Sequence, residues 1–170
     1  MVLIHMSYIR TKKIDNKFYC YLVENKWTKK GPRQKVKKYL GRLHNLPKLL
    51  DHDFYSLFPD TDYSRMTKSE ILSTLAVIEL TNHGFNKEKN LFIHQDLTFC
   101  PKTLKFQKTK RSILLNLNEG HLSTFTLKRI LQFKKTGDFN KDAHTLAKNF
   151  VEAGINIPQE LFIEFYKKRK

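Results

Sequence analysis

Residues 7–41 read SYIRTKKI-DN-KFYCYLVEN-KWTKKGP-RQKVKKYLG, and this stretch decides the fold. Three runs rich in β-branched and aromatic residues, Ser7–Ile14, Phe18–Asn25 and Arg33–Gly41, are separated by polar breaks. Asp15-Asn16 is a two-residue hairpin turn, because Asp and Asn tolerate positive φ. Lys26–Pro32 reads as a longer loop closed by Gly31-Pro32. The pattern predicts a three-stranded antiparallel meander.

A register follows. The first turn sets Ile14 opposite Lys17, which places Thr11 opposite Cys20 and Ile9 opposite Leu22. In the second hairpin, setting Leu22 opposite Val36 and Phe18 opposite Leu40 gathers an apolar face of Ile9, Thr11, Phe18, Cys20, Leu22, Val36 and Leu40, with Lys13 and Lys38 near its rim. The opposite face then carries Tyr8, Arg10, Lys12, Tyr19, Tyr21, Arg33, Lys35, Lys37 and Tyr39, with Val23.

Charge gives that face its meaning. Residues 1–44 hold twelve Lys/Arg against Asp15 and Glu24, supplying ten of the formal +16 of the 170-residue chain. Trp27, the only tryptophan, lies among these cations. Cations interleaved with flat aromatics suit a polyanion that carries stackable rings, which is nucleic acid. The competing reading is a solvated sheet face made basic for solubility. Lysine alone satisfies that reading, whereas four tyrosines among the lysines do not.

The rest of the chain reads as helix with a few short strands. Asn45–Arg65 is a linker with a short helix at Pro47–Phe54. Thr67-Lys68-Ser69-Glu70 is a capping box that starts a helix running to about Asn82, stopped by Gly84. Leu91–Ile93 is a short strand and Ser112–Asn118 a buried one. Between them, Lys102–Arg111 is a second basic patch in a hairpin or loop, with Lys102, Lys105, Lys108, Lys110 and Arg111. Ser123 or Thr124 caps a helix to about Lys135, Asn140 caps Lys141–Ala153, and Pro158 opens the last helix. The predicted architecture is α+β. A basic meander (1–44) and a linker (45–65) precede a mainly helical domain (66–170).

The chemistry is sparse. No Gly-rich phosphate loop, G-x-S-x-G elbow, HExxH or CxxC occurs. Cys20 and Cys100 are isolated, as in a reducing cytoplasm. No run approaches the ~20 apolar residues of a membrane span, and no membrane or cofactor role is expected. Asp51, His52, Asp53, Asp60 and Asp62 raise a metal-dependent nuclease as an alternative, although turn and cap duty explains their spacing better. His94-Gln95-Asp96 and Glu119-Gly120-His121 lack the oriented partners of acid–base catalysis, so no catalytic residue is assigned.

The motifs YIRTKK (8–13), FYCYLVE (18–24) and RQKVKKYLG (33–41) resemble the start of IS1634-type (IS4-like) DDE transposases. The resemblance implies a terminal module that contacts DNA ends or other nucleic acid through those residues. It spans about 35 residues. No acid triad can be assigned in the remainder, so transposition does not come with it.

The expectation is a non-enzymatic nucleic-acid-binding protein, with DNA slightly favoured over an RNA- or ribosome-associated role. Arg10, Lys12, Arg33, Lys35 and Lys37 would meet phosphates, and Tyr8, Tyr19, Tyr21 and Tyr39 would stack or hydrogen-bond. Lys26, Trp27, Lys29 and Lys30 would reach from the loop tip. The second domain would add contacts through Lys102–Arg111 or bind a protein partner.

Overall fold

In the first hairpin both turn residues, Asp15 and Asn16, have positive φ (46° and 59°), which matches the twist of the flanking strands. β1 (Ser7–Ile14) and β2 (Lys17–Thr28) therefore pair from Ser7↔Glu24 to Ile14↔Lys17, the register that the turn chemistry dictates. The computed structural model describes residues 7–168.

The second hairpin departs from expectation. Its turn is Lys29-Lys30 alone, and β2 and β3 (Gly31–Asn45) run through the stretch read as a loop. Thr28 pairs with Gly31 and Val23 with Val36. Toward the base the register shifts twice, leaving Lys37 and Leu40 as extra residues on β3. Leu22 consequently faces Lys38, and Phe18 faces Leu43. The pairs Leu22–Val36 and Phe18–Leu40 do not form. A one-residue slip moves a side chain to the opposite face. Gln34 and Val36 thus share the tyrosine face, while Arg33 and Lys35 lie on the other.

After β3 come α1 (Phe54–Leu57), α2 (Lys68–Asn82), β4 (Asn86–Glu88), β5 (Leu91–His94), β6 (Leu97–Cys100), β7 (Lys105–Lys108), β8 (Arg111–Leu117), β9 (Gly120–Leu122), α3 (Thr124–Leu131), α4 (Phe139–Ala153) and α5 (Gln159–Lys167). The expectation of a mainly helical second part is overturned. Strand accounts for 37% of the structure and helix for 31%, and six of the nine described strands follow residue 66. The fold is α+β and built mostly on sheet. One sheet runs β1-β2-β3-β8-β7-β6-β5-β4, with β9 on β8. β3 and β8 are parallel neighbours over Arg42–Asn45 and Ile113–Asn116; the other pairings are antiparallel.

Of the β4–β8 meander, β5 and β8 are expected from sequence but β4, β6 and β7 are not, because its two-residue turns, Lys89-Asn90, Gln95-Asp96 and Thr109-Lys110, carry at most one Asn or Asp each and no Gly or Pro, a weaker signal than Asp15-Asn16. Its mark is a spacing of seven. Phe92 pairs with Phe99, and Phe99 with Phe106, so the rings line up across strands. The Phe99 and Phe106 centroids are 4.3 Å apart. Phe85 and Ile113 extend the same spacing, and both are buried in the main core.

That core joins the Phe ladder to α2, α4 and α5 through Ile71, Leu72, Leu75, Leu146, Phe150, Leu161 and Phe165. α2 starts at the expected box: Glu70 N donates to Thr67 Oγ1, and Thr67 N donates to Glu70 Oε2. α1 lies later than expected because Asp53 caps it, and α4 starts earlier because Asp138 rather than Asn140 is its cap. A second cluster of Cys20, Leu40, Leu43 and Leu114, with Ile9, Leu22 and Phe125 against it, ties the basic meander to β8 and α3. Gly41 (φ +141°) allows that junction, since a Cβ there would meet Ser112 O at 2.4 Å. Among the described residues, no helix is long and apolar enough to cross a membrane.

Candidate nucleic-acid interface

β3 joins β8 only from Arg42 onward, so residues 25–40 of the β2–β3 hairpin run past the end of β8 as an arm. Where the arm leaves, a cleft of about 1740 Å³ opens. β2 and β3 line it with Lys17, Tyr19, Leu22, Lys38, Tyr39, Leu40, Arg42 and His44. The β7–β8 hairpin adds Lys108, Thr109, Arg111 and Ser112. α3 and its C-cap present Phe125, Lys128, Arg129 and Gln132, and α4 presents Lys141, His144, Thr145, Lys148 and Glu152. Both helical sets follow the i, i+3, i+4, i+7 spacing that puts side chains on one helix face.

Among the described residues, nine Lys/Arg line this cleft against a single acid, Glu152. Glu152 is itself engaged: Arg129 Nη1 donates to its Oε2 at 2.5 Å. Arg129 also donates to Ser7 Oγ at 3.3 Å and lies 4.9 Å from the Phe125 ring centroid, so it is held in place. Cations this numerous, in a concave wall of low dielectric, focus a positive potential. The volume exceeds the roughly 300–1,000 Å³ of ordinary small-molecule pockets, which favours a segment of polymer.

Several groups are tuned by this setting. Burial pushes the Tyr39 phenol up, with the neighbouring Tyr21 and Tyr19 phenols adding to it. Tyr39 thus stays a neutral ring and hydrogen-bond donor; it is 52% exposed, with its centroid 5.4 Å from Tyr21 and 6.4 Å from Tyr19. Burial, followed by the charges of Arg42 and Lys108, lowers the His44 pKa, with Asp96 opposing. His44 Nε2 and Arg42 Nε are buried without a hydrogen-bond partner.

The residues expected from sequence separate into groups. Tyr19, Tyr39, Lys108 and Arg111 line the cleft. Tyr8, Arg10, Lys12 and Tyr21 share the β-face of Tyr19, where Gln34 donates to Tyr8 Oη and accepts from Arg10. Lys26 pairs with Arg33 on the other face of the arm, and Lys35 pairs with Glu24. Lys37 is ion-paired with Glu24 (3.2 Å). The single basic face is therefore split in two. Trp27 lies opposite Pro32 near the arm's tip, and Lys29-Lys30 form the turn. Lys110 sits in the β7–β8 turn, whereas Lys102 and Lys105 do not line the cleft.

Sequence reasoning missed Lys17, Lys38, Arg42, Lys128, Arg129, Lys141 and Lys148 as members of one surface. The periodicity of Lys141, Thr145, Lys148 and Glu152 marks one face of α4, but it reads as a solvated face until β3 is brought opposite.

The acidic cluster does local work. Asp53 accepts from Ser56 N as the α1 cap, Asp51 pairs with Lys48, and Asp62 pairs with Arg65 at 3.0 Å. Among the described residues, no group of three or more His, Cys, Asp or Glu is placed to hold a metal ion. In the two candidate catalytic fragments, Asp96 is ion-paired with Lys108 (2.7 Å), His94 Nδ1 lies 3.0 Å from Gly84 O, and His121 faces Thr11 at 3.5 Å.

Comparisons with protein-family models, with curated proteins and with solved structures find no match to this chain.

Proposed function

We propose that this is a nucleic-acid-binding protein that holds a strand or duplex backbone in the cleft at the base of the β2–β3 arm. One observation carries the reading: among the described residues, nine Lys/Arg from six elements converge on one cleft whose single acid is neutralised by Arg129. A backbone phosphate entering there meets cations on every side. Tyr19 and Tyr39 offer rings at the rim, and ring stacking distinguishes nucleic acid from an acidic protein. The resemblance of residues 8–41 to the opening of IS1634-type transposases favours DNA slightly over RNA. The reading includes no catalytic step. Two free cysteines agree with a reducing cytoplasm as its site of action.

The test is a titration of labelled duplex DNA, single-stranded DNA and RNA across a salt series. Affinity falls steeply with salt, with a log–log slope reflecting several displaced counterions. A flat slope, or affinity unchanged in a Lys38→Ala/Arg42→Ala/Lys128→Ala/Lys148→Ala variant that keeps its native circular dichroism, overturns the reading. Mg²⁺-dependent cleavage that is lost on Asp51→Ala or Asp60→Ala would show instead a nuclease.

A further inference from the structure

We propose that the tip of the β2–β3 arm, residues 25–34, enters the major groove of duplex DNA while the cleft holds the backbone. The proposal rests on the cleft reading and names its substrate class.

Among the described residues, which begin at Ser7, β1 pairs with β2 as far as Glu24, and β8 joins β3 only from Arg42. Among the described residues, Asn25–Thr28 and Gly31–Gln34 therefore form a bare two-stranded ribbon. Four paired positions at about 3.4 Å per residue make a projection of about 10 Å or more beyond the three-stranded part. The major groove of B-DNA is about 12 Å wide and about 8.5 Å deep and admits a two-stranded ribbon. The deep, narrow major groove of an RNA duplex does not admit side chains.

The chemistry agrees with the shape. The ten residues include Lys26, Lys29, Lys30 and Arg33 and no acid. Alternation places Lys26 and Arg33 on one face of the ribbon and Trp27 with Pro32 on the other. A ribbon with cations on one face and at the turn can meet phosphates on both walls of a groove. Arginine and lysine also match the O6 and N7 acceptors of guanine, and apolar surface matches the thymine methyl. Trp27 is 72% exposed and packs in neither apolar cluster. A large ring held at the end of a charged projection has no role in folding and is suited to an apolar contact inside the groove. A single strand could stack on Trp27 as well, but it would not need a ribbon of this width.

Because Trp27 is the only tryptophan, its emission reports the tip alone, while the anisotropy of a labelled duplex reports total binding. Both are followed in one titration with a duplex of about two helical turns. The same duplex is also used with its major groove filled by glucosylated hydroxymethylcytosine, or with its minor groove filled by netropsin. The expected result is binding with a change in Trp27 emission. Groove glucosylation weakens it about tenfold or more and abolishes the emission change, while netropsin shifts affinity by less than about threefold. Trp27→Ala and Lys29→Ala/Lys30→Ala, at exposed positions, weaken duplex binding with circular dichroism unchanged. The proposal is overturned if the glucosylated duplex binds as the plain one does, or if single-stranded DNA or duplex RNA binds as tightly. Binding without any Trp27 response overturns the tip proposal and leaves the cleft reading intact. No binding of any nucleic acid at low salt overturns both.

Discussion

The two ends of the sheet obey the same pairing rules and serve opposite purposes. At the β4–β8 end the strands β4–β7 are three or four residues long, and Phe99 and Phe106 stack at the centre with essentially no exposure. At the β1–β3 end the strands run to fifteen residues and carry Lys and Tyr, some of which line the cleft that α3 and α4 close. Short strands with large rings maximise buried area per residue and rest on α2. Long strands with few apolar residues cannot stabilise themselves, so they depend on the cluster at Cys20, Leu40, Leu43 and Leu114 for attachment. Stability resides at one end and charge at the other, and Gly41 is where they meet.

Substitutions should separate the two ends. Phe99→Ala removes a ring with 0% exposure and leaves a cavity, with an expected loss of about 3–5 kcal/mol in denaturant unfolding. The protein that remains folded should bind nucleic acid as before. Gly41→Ala attacks the junction: it forces a side chain into positive φ and against Ser112 O, at a cost of about 1–3 kcal/mol. Unlike Phe99→Ala, it should also weaken binding in folded protein, because it shifts the arm relative to β8. Equal affinity in the two folded variants would refute the junction role.

Lys128→Ala/Lys148→Ala should do the reverse. Both residues are exposed, so stability should stay within about 0.5 kcal/mol. The salt slope of binding should fall by about two, one for each phosphate that these lysines neutralise. Glu152→Gln removes the single acid of the cleft and should raise affinity at low salt by about threefold, with the gain fading as salt screens it.

The smallest effect is one of pH. Burial lowers the His44 pKa in the folded protein, so the unfolded chain binds more protons as pH falls below the ordinary histidine value near 6.5. Stability should therefore decline from about pH 7 downward until the folded His44 also protonates. His44→Gln should flatten that part of the profile, leaving the similar contribution of His121, which burial also lowers. An unchanged profile in His44→Gln would remove His44 as a source of the decline.

Much of the local structure was legible because it depends on neighbours in sequence. The Asp15-Asn16 turn fixed the first hairpin's register. The T-x-x-E box fixed the start of α2, and Gly154 in the left-handed region fixed the end of α4. The second hairpin was not legible, because Lys29-Lys30 carries no turn signal and the bulges at Lys37 and Leu40 answer to packing against β8 and α3. The β4–β8 meander was only partly legible, at β5 and β8: its turns carry one Asn (Asn90), one Asp (Asp96) or neither, where Asp15-Asn16 carries both. The seven-residue recurrence of Phe92, Phe99 and Phe106 was the readable clue.

By itself, the sequence determined the charge, the aromatic–cationic composition of the first 44 residues and the starts of α2 and α3, all of which are local properties of side chains. Only the tertiary structure decided where the charge converges. Lys38 and Arg42 on β3, Arg111 on β8, Lys128 on α3 and Lys148 on α4 are far apart in the chain and share one cleft. The parallel pairing of β3 with β8 brings them together, and that pairing is set by long-range burial of Leu43 and Leu114.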